Sequence, residues 1–411
     1  MRGSLQLLKG YHFFTYGSFA LLYAFVPIYL ARQGIGKLQI GLLMAGGPLV
    51  SVAANPVWGY WTDRTQNHRA TVIWLLVGNA ALAQGLFRIS GFAPLYAVML
   101  LFFFFQSPMY AQGSSLTLHA IAGTPHKFGA FRLWGSLGYA FVALGTGAAL
   151  QRFGWDRLWL AYTLLLALAF ACAVLMPGPG VRRGERTAAA LPARQLGSVF
   201  GNRIFLFFIA LGVFQSVPST IHAAFASLYV QDLGGDAVAM GWASFCAAVF
   251  EVPVFLLLDR YAKRDTGYLT AWLTVVCGLF AVRWLLLSLA TSAVQVLFVQ
   301  ALHSLTFGAY FYLGTMLTAV LVPDRLRASG QAAFALTWGG LSGVLAGLLG
   351  GWLYETAGAA AMYRVNAAIA LGGLAGFVLL HRLVKAEGAA RAAQGPQGPQ
   401  GPQGPQGTSQ K

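Results

Sequence analysis

The chain has 411 residues, of which 57% are hydrophobic and only 9% charged, with 50 glycines and 30 phenylalanines. A water-soluble domain of that length needs far more charge to cover its surface, so the composition excludes one. The formal charge of +16 invites a nucleic-acid partner. Its arginines and lysines instead cluster in alternate short loops, which points to a lipid bilayer and away from nucleic acid.

Apolar runs of about 20 residues, the length a helix needs to cross a bilayer, recur from end to end. In chain order they predict twelve spans at about 11–31, 38–61, 71–90, 94–118, 130–150, 158–176, 204–230, 238–258, 267–289, 293–321, 329–353 and 363–384. Met1 to Gly10 is short and basic, and the run after it is span-length, so no cleavable leader is expected. With the N-terminus inside, eighteen basic residues fall on the inner side; only Arg32, Lys37, Arg152, Arg157 and Arg364, five in all, fall outside. That bias predicts a multi-pass cell-membrane protein with both termini in the cytoplasm. Cys172, Cys246 and Cys277 all lie inside apolar runs without metal-ligand spacing, so no metal site is expected.

The longest connection, Pro177 to Arg203, opens with Pro-Gly-Pro-Gly and holds five arginines. It reads as a linker between two six-span halves. Residues 1–190 would be the N-terminal half with the start of the linker, and 191–390 the C-terminal half. Residues 391–411 would be a flexible tail ending in four Gly-Pro-Gln triplets and Gly-Thr-Ser-Gln-Lys.

The halves repeat each other. Asn55-Pro-Val-Trp-Gly-Tyr-Trp-Thr-Asp63-Arg64 closes the second span, and Glu251-Val-Pro-Val-Phe-Leu-Leu-Leu-Asp259-Arg260 closes the eighth. Each places a polar residue eight positions before an Asp-Arg pair, and Arg88 and Arg283 follow at 25 and 24 residues. Duplicated halves with a site at their interface are a transporter architecture. The expected fold class is therefore an all-α membrane protein, with twelve transmembrane helices in two pseudo-symmetric six-helix halves.

Gly59-Tyr-Trp-Thr-Asp63-Arg64-Thr-Gln-Asn-His-Arg69 resembles the signature loop of the major facilitator superfamily. Phe128-Gly-Ala-Phe-Arg132-Leu-Trp134-Gly135-Ser-Leu-Gly138 is similar to the fifth helix of 3-phenylpropionate permeases and of lactose permease. Gln300-Ala-Leu-His303-Ser-Leu-Thr306-Phe307-Gly308 resembles the tenth helix of the phenylpropionate group. The resemblance implies a proton symporter of that group. It also implies inner-gate roles for Asp63, Arg64 and Arg69 and, through the repeat, Asp259 and Arg260. Arg132 would bind substrate, as the matching residue of lactose permease binds sugar.

Of the eleven acidic residues, Glu251 alone sits near the middle of an apolar run. An ionisable group at that depth is costly, so a role in proton coupling is the leading reading. The alternative is a structural carboxyl, hydrogen-bonded to a neighbouring helix. Its repeat counterpart Asn55 cannot titrate. Helical spacing puts Gln300, Phe307 and Tyr310 on the face of His303. That histidine either relays protons and lines a cavity, or bonds a neighbouring helix. Arg132, with Trp134 beside it, either grips a carboxylate or sugar hydroxyls, pairs with Glu251, or snorkels to headgroups. Tyr110 and Gln112, with Gln106, Gln215 and His222, are further pocket candidates, on helices that face the cavity in the family. Arg88 and Arg283 are expected near outer span ends, against headgroups or between halves. Gly135, Gly138, Gly340, Gly343, Gly347 and Gly351 are expected where the halves approach each other.

The first functional reading is a monomeric secondary transporter of a small organic solute, an aromatic acid or a sugar- or nucleoside-like molecule. It would move that solute with protons by alternating access, with the proton as coupling ion and no cofactor. A proton-coupled exporter of lipophilic compounds is the alternative, and a non-transporting sensor or scaffold a second. The absence of a Gly-x4-Gly-Lys-Ser/Thr pattern removes support for ATP drive, and an enzyme is not expected.

Overall fold

The computed structural model describes residues 2–176, 201–323 and 326–393. The linker, the boundary at 190/191 and the Gly-Pro-Gln tail lie outside the described residues. Everything described is helix or short connection, as a chain without water to satisfy its backbone must be. Helices α1 (Arg2–Ala24) and α2 (Val26–Arg32) form the first passage, interrupted at Phe25 just before Pro27. They are followed by α3 (Lys37–Thr65), α4 (His68–Leu86), α5 (Phe92–Gln106), α6 (Met109–Ile121), α7 (Phe128–Phe153) and α8 (Leu158–Leu175). The second series is α9 (Arg203–Asp232), α10 (Ala237–Val249), α11 (Glu251–Tyr261), α12 (Thr266–Ser288), α13 (Ala293–Gln300), α14 (Ala309–Leu321), α15 (Arg327–Leu336) and α16 (Ser342–Ala393).

Ten helical stretches among the described residues are long and apolar enough to cross a membrane. Twelve passages require two more readings. Helix α4, of 19 residues, falls outside those ten. The stretch Ser329–Ala389 counts once, although α16 breaks at Gly358 with φ +81° and ψ 169°. Only glycine reaches that backbone conformation without strain, so the turn between its two arms is written into one residue.

Prolines set the interruptions that matter for the site. Pro108 separates α5 from α6, and Pro253 stands in the first turn of α11. Proline lacks an N–H and crowds the carbonyl four residues back, so a helix running through Val249 cannot continue undisturbed. The chain therefore breaks at Phe250, and Glu251 becomes the first residue of α11. A carboxylate is favoured there by the positive end of the helix dipole. A π-helical turn at Ser304–Gly308, between α13 and α14, inserts an extra residue into the helical register directly after His303.

The two series of helices touch along α3 with α16 and along α7 with α10. Both seams depend on small residues. A β-carbon on Gly41 would collide with the Gly347 carbonyl oxygen, and one on Gly147 with the Ala237 carbonyl. Gly343 faces Pro48 and Gly351 faces Leu38 in the same seam. Gly135 and Gly138 were expected between the halves but face Tyr16 and Phe13 of α1, within the first series. Gly340 meets only Leu336 of its own segment. The close contact on α7 comes about two and a half to three turns later, at Gly147, because α7 leans on α1 first.

Candidate functional site

Glu251 and His303 form the centre of the site. The carboxylate Oε1 lies 3.4 Å from His303 Nε2, with the side chains 19% and 23% exposed. Ionisable groups at this depth face a bundle interior or an aqueous cavity rather than lipid. The His303 ring stacks on Phe307 at 5.1 Å and 14°, and its Nδ1 has no partner among the described residues. The π turn bears on the expected neighbours that follow His303. Phe307 stays beside His303, whereas Gln300 and Tyr310 are rotated into the helix bundle, both nearly inaccessible. Tyr310 packs on Phe280, Phe334 and Trp338. The extra residue shifts the register of Tyr310, which follows the π turn; Gln300 precedes it, and there the helix is interrupted at Ala301, between Gln300 and His303.

Arg132 of α7 comes from the first series. Its guanidinium sits 4.4 Å from the Tyr16 ring centre and 5.6 Å from that of Tyr110, and it donates to Ser136 Oγ at 3.3 Å. Guanidinium over two tyrosine faces is a cation–π clamp that leaves donors free for a ligand. Arg132 and Tyr139 are both within electrostatic reach of Glu251. Charges on α7 and α11 thus sense each other between the two series.

Two expected substrate residues lie elsewhere. Trp134, two residues after Arg132, points about 200° away around the helix. It lies 5.7 Å from Lys9 Nζ and lines a groove of about 290 Å³ with Gln6, Gly10, Phe13 and Phe14. Gln112 is 6% exposed, and its Oε1 accepts from Thr62 Oγ1 at 2.9 Å, tying α6 to α3. Tyr110, two residues and about 200° around α6 from Gln112, keeps its place beside Arg132.

The expected gate residues sit on the face that carries Asp63, and none makes a hydrogen bond or ion pair to the opposite series among the described residues. Asp63 is exposed. Arg64 reaches Tyr60 of its own helix at 3.4 Å. Arg69 donates to the Ala173 and Val174 carbonyls, closing the C-terminus of α8 as a basic residue does. Asp259 accepts from Tyr312 at 3.1 Å, and Arg260 lies over Tyr261 at 5.7 Å. On the opposite face Lys37 bonds Asp232 and Leu38 bonds Glu355, contacts between the series.

Arg283 differs most from its expected place. It is fully buried rather than at a span end, and donates to Gln300 Oε1 at 2.8 Å and Thr306 Oγ1 at 3.2 Å. His222 shares that Gln300 oxygen at 3.2 Å and meets the Tyr363 hydroxyl at 2.9 Å. Arg283 has no carboxylate in contact among the described residues. The clue in the sequence was periodicity: Val276, Phe280, Arg283 and Leu287 recur at helical spacing on the buried face of α12. Arg88, by contrast, is exposed beside Trp159 at 5.5 Å.

Comparison with known proteins identifies the family. A maltose permease of Geobacillus stearothermophilus is 24% identical over 380 residues, covering 92% of this chain and 95% of that one. A protein of Escherichia coli (strain K12) described as "Probable 3-phenylpropionic acid transporter" is 26% identical over 317 residues, covering 75% and 80%. The crystal structure of the nucleoside transporter NupG superposes with a TM-score of 0.75 at 15% identity, covering 92% of this chain and 99% of that chain. The profile of the MFS_1 like family matches residues 5–365, and the chain is therefore a multi-pass membrane protein that belongs to this family of major facilitator transporters.

Proposed function

We propose that this protein is a secondary transporter that moves a small ring-bearing organic solute together with protons by alternating access. The observation that carries the reading is the Glu251–His303 pair, a titratable couple within electrostatic reach of Arg132 of the other series. A proton on Glu251 removes the negative charge that otherwise competes for Arg132. The cation is then free to hold a carboxylate or hydroxyl-rich solute, while Tyr16, Tyr110 and Phe307 offer faces for its ring. Proton and solute occupancy are coupled because each changes the charge that the other meets.

The relatives support a small organic cargo: the names of two of them refer to maltose and to 3-phenylpropionic acid. In this reading the Asp63 face is cytoplasmic, as are both termini, in a cell membrane, and a monomer suffices because both halves of the site lie in one chain. Asp63, Arg64, Arg69, Asp259 and Arg260 engage across the seam only when the inner side closes. No chemical step on the solute and no cofactor is needed.

The test is uptake by proteoliposomes of a solute found in a thermal-shift screen of aromatic acids, sugars and nucleosides. An acidic exterior should raise accumulation in the wild type, and Glu251→Gln should remove that dependence. Gradient-driven accumulation that survives Glu251→Gln would sink the coupling role.

A further inference from the structure

Lys37 is the first residue of α3 and Asp232 the last residue of α9. Each charge is at the wrong end of its helix. The N-terminus of a helix carries partial positive charge and repels a lysine, while the C-terminus repels an aspartate. Neither position is favourable alone, and the two are brought together: Lys37 Nζ is 2.6 Å from Asp232 Oδ2. The same oxygen accepts from the Tyr354 hydroxyl at 2.8 Å, and Lys37 lies 4.2 Å from the centre of the Tyr354 ring.

The start of α3 has a second dependence on the other series. Its N-cap residue is Gly36, which has no side chain to accept a backbone N–H. Glu355 of α16 supplies that acceptor, taking the Leu38 N–H at 2.7 Å. A β-carbon at residue 36 would lie 3.3 Å from the Glu355 carboxylate, so the glycine leaves room for it. Helix α3 is thus capped by a residue 317 positions away.

We propose that Lys37, Asp232, Tyr354 and Glu355 form the outer gate of this transporter, a latch that holds the Lys37 face shut while the Asp63 face is unlatched. The assignment rests on the alternating-access reading above. Opening the outer side separates α3 from α9 and α16, which leaves two charges at unfavourable helix ends and uncaps α3. The latch therefore biases the protein toward the state with the inner side open.

Pulsed electron paramagnetic resonance tests the assignment in a protein lacking Cys172, Cys246 and Cys277. Nitroxides at Gln33 and Thr291 report the outer side, and at Thr65 and Lys263 the inner side. Lys37→Gln, Asp232→Asn and Glu355→Gln should each raise the outer-open fraction at least threefold, with reciprocal closing of the inner pair. The double variant Lys37→Gln/Asp232→Asn should open no further than either single. The exchange Lys37→Asp/Asp232→Lys should restore closure, because each charge then also suits its helix end. An unchanged outer distribution in all three singles would overturn the latch, as would multiplying effects of Lys37→Gln and Asp232→Asn. Proton coupling is judged separately: uptake surviving Glu251→Gln, with an outer side that still opens in the latch variants, removes the coupling and leaves the latch standing.

Discussion

The two halves share a sequence frame and differ in what they place in it. Position by position, Asn55 matches Glu251 and Arg88 matches Arg283. Asn55 donates to the Ser51 carbonyl of its own helix at 2.9 Å, whereas Glu251 reaches His303 on another segment. Arg88 lies exposed beside an indole, whereas Arg283 is sealed inside the bundle. The first half offers a permanent cation clamped over tyrosines; the second holds the group whose charge can change. The matched frame thus carries different side-chain chemistry in its two copies, and an ionisable group at that depth is costly to keep.

The largest expected effect breaks the comparison at Glu251. Glu251→Gln should lower pH-gradient-driven uptake at least tenfold, about 1.4 kcal/mol or more, whereas Asn55→Gln should change it less than twofold; equal effects would show that the acid is only a packing residue. Arg283→Met comes next. Removing a buried cation without a carboxylate relieves a desolvation cost of several kcal/mol, so the variant should be no less stable to heat than the wild type while transport falls about tenfold. A clear drop in melting temperature would make Arg283 structural. Arg132→Lys keeps the charge but loses the fork, and should raise the solute KM about fivefold. The smallest effect should be Arg88→Gln, within about 0.5 kcal/mol in thermal stability, which sharpens the contrast with its buried counterpart.

The passages across the membrane were legible because burial in lipid demands long apolar runs, and the repeat was legible because polar residues interrupt those runs at matched places. The site was legible only in part. Arg132, Glu251, His303 and Phe307 could be picked out as polar or aromatic breaks in apolar helices. Trp134 was grouped with Arg132 by sequence neighbourhood, although two steps along a helix turn a side chain to nearly the opposite face. Gln112 is polar yet serves to tie two helices, a use that composition does not distinguish from lining a cavity. Tyr310 left the His303 face because of a π turn, and Gln300 is separated from His303 by a break at Ala301; neither carries a proline or other mark in the sequence. The latch joins residues 195 and 317 positions apart, and nothing local announces such pairings.

The network around Gln300 fixes more than a position. Arginine has no acceptor atom, so the Gln300 amide must turn its oxygen toward Arg283. The same oxygen faces His222 Nε2, which must then carry the hydrogen, leaving Nδ1 to accept from the Tyr363 hydroxyl. One fixed cation on α12 thereby dictates the hydrogen positions on three side chains from α13, α9 and α16. His222 has both nitrogens engaged, Nε2 by Gln300 and Nδ1 by Tyr363. His303 has Nδ1 unengaged among the described residues. Of these two histidines, the arginine holds one in a closed hydrogen-bond network, and the other keeps a ring nitrogen without a partner among the described residues.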